Sequence, residues 1–268
     1  MTDEPIFEAR EVSKSYGTVR ALTSVSLRVE AGRVTCLLGD NGAGKSSLIK
    51  ILSGVASPDA GTLAVDGSPV RFADPKDALT RGIATVYQDL AVVPDLPVYR
   101  NFFMGREPVL GRGPLARFDK RRARRVTQEQ LESIGISLAD PERPISTLSG
   151  GERQSVAVAR AVYFGAKVLL LDEPTSALGV RQAETVLRYA VRAKQQGVGV
   201  VLITHNAHHA WAVGDRFVVL QRGEVSVDAD AGEISLDELI RHMAGGADIA
   251  ELQRELRADR VPAPGAGI

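Results

Sequence analysis

Two kinds of hydrophobic pattern follow one another along the chain. Residues 6–30 alternate apolar and polar positions around a turn at Tyr16-Gly17, which is typical of antiparallel strands with one solvated face. Three later runs, at residues 34–38, 168–171 and 198–203, are continuously apolar, as in parallel strands buried on both faces. The pattern predicts an α/β fold in which an N-terminal antiparallel β region precedes a mostly parallel, covered sheet.

The segment between Gln88 and Leu148 differs in composition from these strand-like regions. It has few β-branched runs, several prolines, and an amphipathic stretch with Ala123, Val126 and Leu131 at helical spacing. We interpret residues 89–164 as an inserted, mostly helical subdomain. After Gly223 the pattern weakens, and it predicts short helices at 236–241 and 249–256 and a frayed tail over 258–268.

Charge and apolar content limit the possible partners. Lysine plus arginine and aspartate plus glutamate both total 33, so no net field draws the chain onto nucleic acid or anionic lipid. The lone Cys36 cannot form an internal disulfide, which fits a reducing compartment. No apolar run is long enough to span a bilayer, and we expect no signal peptide. Any membrane attachment is therefore expected to go through a protein partner.

Residues 39–46 read G-D-N-G-A-G-K-S, the pattern of a phosphate-binding loop. Its glycines let backbone N–H groups turn toward a triphosphate, Lys45 reaches the β and γ oxygens, and the Ser46 hydroxyl can bind Mg²⁺. By itself this loop indicates only that the chain binds a nucleoside triphosphate.

A second anion-binding pattern lies far downstream, where L-S-G-G-E occupies residues 148–152. Ser149 and the two glycines precede an amphipathic helix and leave its first N–H groups uncovered. Shortly after it, an apolar strand ends in Asp172-Glu173, at the edge where parallel sheets bind ligands. Two anion sites in one small domain make sense if they serve one nucleotide from opposite sides.

With these motifs in this order, the chain resembles the ATP-binding subunit of an ABC transporter, up to about residue 245. The resemblance implies a P-loop ABC ATPase with residues 1–245 as the nucleotide-binding domain and 246–268 as a C-terminal helix and flexible tail. It implies that Glu173 polarises the attacking water, that Asp172 holds Mg²⁺ with Ser46 and Gln88, and that His205 orients the water. The residues implied to bind ATP are Tyr16, which stacks on adenine, and Gly39, Asp40, Asn41, Gly42, Ala43, Gly44, Lys45, Ser46 and Ser47.

The same resemblance implies partners. In the family, two such domains pack head to tail, so that Leu148, Ser149, Gly150, Gly151 and Glu152 of one chain close the ATP of the other. We therefore expect a homodimer on the cytoplasmic face of the cell membrane, attached through permease subunits and served indirectly by a secreted solute-binding protein. One position departs from the family pattern: Gly179 stands where an aspartate is usual after residues 173–178, so the family's separate D-loop contact across the dimer is not expected to form in the usual way.

Segments such as residues 101–107 and 204–209 are most similar to importers of ribose, xylose or fructose. Import of another small solute stays open, and so does a non-transport ABC ATPase, although the long coiled coil or second domain of such proteins is absent. The histidines at 205, 208 and 209 suggest a metal clip, but no further ligand group lies nearby in the sequence. The basic run at 120–125 is interpreted as a solvated helix face rather than a nucleic-acid site.

Overall fold

The computed structural model describes residues 4–244 apart from 134, 135, 137, 139 and 177. The strands are β1 (Phe7–Tyr16), β2 (Val19–Val29), β3 (Val34–Leu38), β4 (Ala60–Val65), β5 (Ser68–Val70), β6 (Ile83–Val86), β7 (Val109–Leu110), β8 (Arg117–Phe118), β9 (Val168–Asp172), β10 (Gly199–Thr204), β11 (Arg216–Gln221) and β12 (Glu224–Asp230). The helices are α1 (Lys45–Leu52), α2 (Pro75–Thr80), α3 (Val98–Phe103), α4 (Lys120–Ser133), α5 (Gly150–Tyr163), α6 (Val180–Gln195), α7 (Ala207–Val213) and α8 (Leu236–Met243).

The central sheet has six strands in the order β12-β11-β3-β10-β9-β6. The five strands from β11 to β6 are parallel, and β12 is antiparallel at one edge. Alternate residues of β10 enter different cores: Val200 and Leu202 pack on one face, Val201 and Ile203 on the other. The predicted parallel sheet, covered on both faces, is confirmed.

A second sheet, β2-β1-β4-β5, is antiparallel. Its turn lies where the alternation predicts it, because Tyr16 pairs with Val19 across the hairpin. Phe7 and Leu22 of this sheet share a core with Leu37 of β3 and Leu48 of α1. Helix α1 is thus enclosed between the two sheets, which fixes the loop that precedes it.

The chain leaves the central sheet after β6 and returns at β9. Helices α3, α4 and α5 pack together in between, around Phe102, Ile145 and Val156. The small hairpin β7–β8 lies within this stretch and was not predicted, because two-residue strands carry no periodicity. The predicted subdomain limits of 89–164 stay a prediction, and so does the domain boundary at 245.

The C-terminal part differs from the sequence prediction in one respect. The weak pattern after Gly223 contains strand β12, which is half-exposed at the sheet edge and therefore lacks an apolar run. The helix predicted at 236–241 is α8, whereas the helix predicted at 249–256 and the tail at 258–268 lie outside the described residues. No helix in the described part of the chain is both long and apolar enough to cross a bilayer.

Candidate active site

The phosphate loop connects the end of β3 to the start of α1. Gly39 and Gly44 have φ angles of 143° and 108°, which side-chain-bearing residues rarely adopt. A Cβ at Gly39 would lie 2.4 Å from the Leu220 carbonyl oxygen, and one at Gly44 would lie 2.8 Å from that of Ala21. Neighbouring backbone therefore presses on the loop from two sides, and only glycine fits at these positions.

Lys45, the first residue of α1, is buried beneath the loop. Its Nζ donates to the carbonyl oxygens of Gly39 at 2.7 Å and Asp40 at 3.1 Å. Burial lowers the pKa of this ammonium, while the charges of Glu173, Asp40 and Asp172 act in the opposite direction. The loop thus holds a cation in place beside three carboxylates before any anion arrives.

A cleft of about 560 Å³ opens in front of this loop. It is lined by Val19, Arg20, Ala21, Asp40, Asn41, Gly42, Ala43, Gly44, Lys45, Ser46, Ser47, Gln88, Asp172, Glu173 and Arg222. The fold thus brings together the phosphate loop, the two adjacent carboxylates and the glutamine that follows β6. Their common position at the carboxyl ends of parallel strands is where this class of sheet binds ligands.

Asp172 and Glu173 stand at the end of β9 in unequal environments. Burial raises the pKa of Asp172, the nearby charge of Glu173 raises it further, and Lys45 lowers it. Glu173 has a φ of 45°, uncommon for a residue other than glycine, and its N–H donates to the Ile203 carbonyl oxygen at 3.0 Å. This bend turns the chain sharply away from the strand at the second carboxylate.

His205 follows β10, the strand that pairs with β9. Its Nδ1 lies 2.9 Å from both carboxylate oxygens of Glu173. The imidazole is about half-exposed, whereas the side chain of Glu173 is only 15% exposed. Two neighbouring strand ends therefore place an imidazole and a carboxylate in contact beside the cleft.

Residues 148–152, called the signature turn below, lie at the beginning of α5. The Ser149 hydroxyl accepts from the Glu152 N–H at 3.3 Å, and the Glu152 carboxylate accepts from the Ser149 N–H at 2.7 Å. This reciprocal capping stabilises the helix start. None of residues 148–152 is among those lining the phosphate-loop cleft. Within one chain, the two predicted anion sites are separate surfaces.

Sequence comparison decides the family. Residues 22–176 match the profile described as ABC transporter. The chain belongs to the ABC transporter family.

Among relatives of this ABC protein, a xylose/arabinose import ATP-binding protein of Sulfolobus acidocaldarius is 46% identical, over 90% of the chain and 95% of the relative. A fructose import ATP-binding protein of Rhizobium meliloti is 37% identical, over 92% and 97%. A ribose import ATP-binding protein of Rhodopirellula baltica is 40% identical over 98% of the chain, which spans 50% of that relative's length.

Solved structures agree on the ABC fold. A nucleotide-free ATP-binding cassette superposes with a TM-score of 0.77 at 21% identity, covering 93% of the chain and 99% of the cassette. This likeness shows the fold alone. A dimeric cassette in a post-hydrolysis state with ADP and phosphate is 25% identical, with a TM-score of 0.69 over 84% and 98%. The ABC protein described here is an ATP-hydrolysing cassette.

Two further site residues predicted for this ABC ATPase lie at the border of the cleft. Gln88 lines it directly, two residues after β6 ends. Tyr16 is 46% exposed and does not line the cleft, but its strand partner Val19 does. Tyr16 is thus the strand partner of a residue that lines the cleft.

The sequence analysis missed the turn between β11 and β12. The Gly223 N–H donates to the Ala43 carbonyl oxygen at 2.9 Å, and the Gly223 carbonyl oxygen accepts from the Thr23 N–H at 2.8 Å. Arg222 in this turn and Arg20 of β2 add two guanidinium groups to the lining. An arginine-glycine pair directly after an apolar strand was the available signal. This turn supports the phosphate loop from outside.

The three neighbouring histidines do not converge. His205 contacts Glu173, the His209 Nδ1 lies 2.9 Å from the Thr175 hydroxyl oxygen, and His208 is exposed. Within the described ranges, no group of three or more His, Cys, Asp or Glu residues is arranged to hold a metal ion.

Proposed function

We propose that this ABC ATPase energises the uptake of a monosaccharide, as a head-to-tail dimer bound at the cytoplasmic face of the membrane to permease subunits. A secreted solute-binding protein delivers the sugar to that permease. The observation that carries the coupling is the position of Gln88. Gln88 lines the phosphate-loop cleft, while its neighbours Tyr87 and Asp89 line a second cleft on the helical region.

The first step of the proposal is nucleotide binding. The triphosphate lies against the loop N–H groups at the start of α1, and Lys45 bridges the β and γ oxygens. Ser46 and Ser47 follow on the same helical turn, and both line the cleft. Adenine stacks on the exposed ring of Tyr16 at the rim.

The donors in this cleft suit Mg²⁺. The Ser46 hydroxyl, the Asp172 carboxylate and the Gln88 amide all line it, and such hard oxygen ligands are those that Mg²⁺ prefers. The raised pKa of Asp172 reflects burial beside another carboxylate, which a bound cation offsets. When bound, the ion neutralises charge on the β and γ oxygens.

Hydrolysis then needs a base near the γ-phosphate. Glu173 accepts the proton of the attacking water, and His205, whose Nδ1 contacts both oxygens of that carboxylate, keeps the carboxylate oriented toward the water. Lys45 and the loop N–H groups hold the developing negative charge.

A second chain completes the site. The Ser149 hydroxyl accepts a hydrogen bond in its own capping box, but a hydroxyl can also donate one. We assign that proton to the γ-phosphate bound by the partner's phosphate loop, with Leu148, Gly150, Gly151 and Glu152 shaping the contact. The dimeric ADP-bound cassette among the similar structures supports this arrangement.

The permease docks at the second cleft, of about 220 Å³, between the β6–α3 segment and α5. Val86, Leu90 and Val156 give it an apolar lining, with the guanidinium of Arg106 stacked on Phe164, 5.1 Å from the ring centroid. An apolar cleft with a cationic rim suits an inserted helix of a membrane subunit. Movement at the γ-phosphate reaches it through Gln88.

The cargo rests on the relatives, whose names include import of xylose/arabinose, ribose and fructose. A cassette that imports another small solute is the second candidate. A non-transport ABC ATPase is disfavoured, since these relatives are all importers.

The test uses the complex of this chain with its permease and sugar-loaded binding protein. Gln88→Ala should keep ATPase activity in the assembled complex but lose most of its stimulation by the loaded binding protein, because the link between the two clefts is removed. Gln128→Ala, an exposed glutamine on α4, is the matched control. Deleting the gene should slow growth on one or a few monosaccharides. Normal uptake of pentoses, hexoses and polyols in that strain, without a paralogue, would refute sugar import.

A further inference from the structure

The turn after Glu173 is held by two histidines from one short helix start. Asn206 caps α7 by accepting from the His209 N–H at 3.1 Å, so His205 lies just before the cap and His209 in the first helical turn. His205 contacts the Glu173 carboxylate, while the His209 Nδ1 lies 2.9 Å from the Thr175 hydroxyl oxygen. Residues 205–209 thus contact both Glu173, the proposed base, and Thr175.

Thr175 depends on this contact. The residue is only 4% exposed, and His209 is the partner of its hydroxyl among the described residues. A buried hydroxyl without a partner is costly, so the pair ties the turn to α7. His209 is itself half-buried, and burial lowers its pKa, followed by the charges of His208 and His205.

Glu173 needs such support because its backbone is strained. Its φ of 45° lies in the left-handed region that a glutamate rarely adopts. Within the turn, the Ser176 N–H and hydroxyl both donate to the Glu173 carbonyl oxygen, at 3.2 and 3.0 Å. Those bonds close the turn locally. The bond between Thr175 and His209 fixes the turn relative to α7, whose cap directly follows His205.

We propose that His209 is a positioning residue for ATP hydrolysis: by hydrogen-bonding Thr175, it holds the Glu173 carboxylate in register with His205 and the γ-phosphate. This inference rests on the proposed role of Glu173. It assigns a function to the third of the neighbouring histidines at 205, 208 and 209, which neither the phosphate loop nor the signature turn explains. It also gives this chain a fixed turn just before Gly179, where the usual aspartate is missing.

The experiment measures kcat and KM for ATP on the purified full chain. His209→Leu and Thr175→Val each remove one partner, and each should lower kcat about three- to tenfold, the size expected for one hydrogen bond, with KM unchanged. The double variant should be no slower than the single ones, because both delete the same bond. His209→Asn, whose amide can occupy the Nδ1 position, should recover most of kcat.

His208→Leu is the matched control, since it is the adjacent, exposed histidine of the same helix, and its kcat should equal that of the wild type. ATP-dependent dimerisation should be unchanged in all variants, because a positioning role acts on the base and not on nucleotide binding. If His209→Leu fails to fold, Thr175→Val, which preserves shape, decides alone.

Wild-type kcat in Thr175→Val and His209→Leu, effects that multiply in the double variant, or a loss of dimerisation would overturn the proposal. Glu173→Gln separates the two levels. If that variant turns over ATP normally, the assignment of the base is wrong as well. If it is inactive while the His209 and Thr175 variants are normal, only the positioning role is lost.

Discussion

The phosphate loop and the signature turn are both glycine-containing helix starts, yet they treat their N–H groups differently. Helix α1 has Gly44 as its N-cap, without a side-chain hydrogen bond and without an acidic residue in its first turn. Its first residue, Lys45, lies beneath the phosphate loop. Helix α5 begins with a complete capping box, and Glu152 adds a carboxylate to its first turn. The first start leaves its field open to an anion, whereas the second is partly neutralised by its own chain.

The two helix starts have different tasks in the proposed two-chain site. Strand ends, loop and lysine converge in one cleft of a single chain. The signature turn is capped by its own chain and lies outside the lining of that cleft, so in the proposed dimer it acts on the phosphate bound by the partner. Four predictions test this division, from the largest expected effect to the smallest.

The largest effect is expected in the phosphate-loop cleft, whose lining comes from one chain. Glu173→Gln should lower kcat about 10²–10⁴-fold, because the base is lost while the cleft keeps its shape. ATP affinity should persist, and ATP should trap a dimer that is visible on a sizing column. Near-normal turnover would remove Glu173 from the role.

The next prediction tests whether the phosphate loop of one chain and the signature turn of the other form one site. Lys45→Ala and Ser149→Arg should each be inactive alone, since every site in such a homodimer carries the defect. Mixed dimers should regain ATPase activity, because one of their two sites combines an intact loop with an intact signature turn. Mixtures that stay inactive although mixed dimers form would show that one chain holds the whole site.

A smaller effect concerns pH and the buried carboxylate. Because folding raises the pKa of Asp172, the folded chain binds that proton more tightly, so stability falls as pH rises through the window between the unfolded and folded pKa values. Asp172→Asn should therefore raise the Tm at pH 7 while abolishing activity. The gain should vanish below about pH 4, where the unfolded carboxyl is also protonated. Asp95→Asn, at an exposed position, should leave Tm unchanged throughout.

The smallest effect is expected next to the signature helix. Gly179 caps α6 without a side-chain hydrogen bond, and nothing lies within 4 Å of a Cβ placed there. Gly179→Asp should stabilise the chain by about a few tenths of a kcal/mol through N-capping, measured by denaturant unfolding. Gly179→Ala should not reproduce this gain. A destabilised Gly179→Asp chain would mean that this position is constrained by more than the cap.

Local patterns predicted the regular parts well. The apolar runs became β3, β9 and β10 because burial on both faces demands continuous apolar residues, and the family-like motifs placed the loop and the carboxylates at strand ends. Strand β12 was not predicted, because an edge strand needs no apolar run. The hairpin β7–β8 was not predicted, because its strands are too short to show a pattern. Arg222 was missed because only folding brings its turn against Ala43.

Periodicity and contiguous motifs encode the sheet, the phosphate loop and the membership of the ABC family directly, so the amino-acid sequence is enough to predict them. Folding alone brings His205 into contact with Glu173 and His209 into contact with Thr175, and it leaves the signature turn outside the lining of the phosphate-loop cleft. Each of these two contacts joins residues more than 30 positions apart in the sequence. Their distances follow from which strands pair, and no local pattern specifies that pairing.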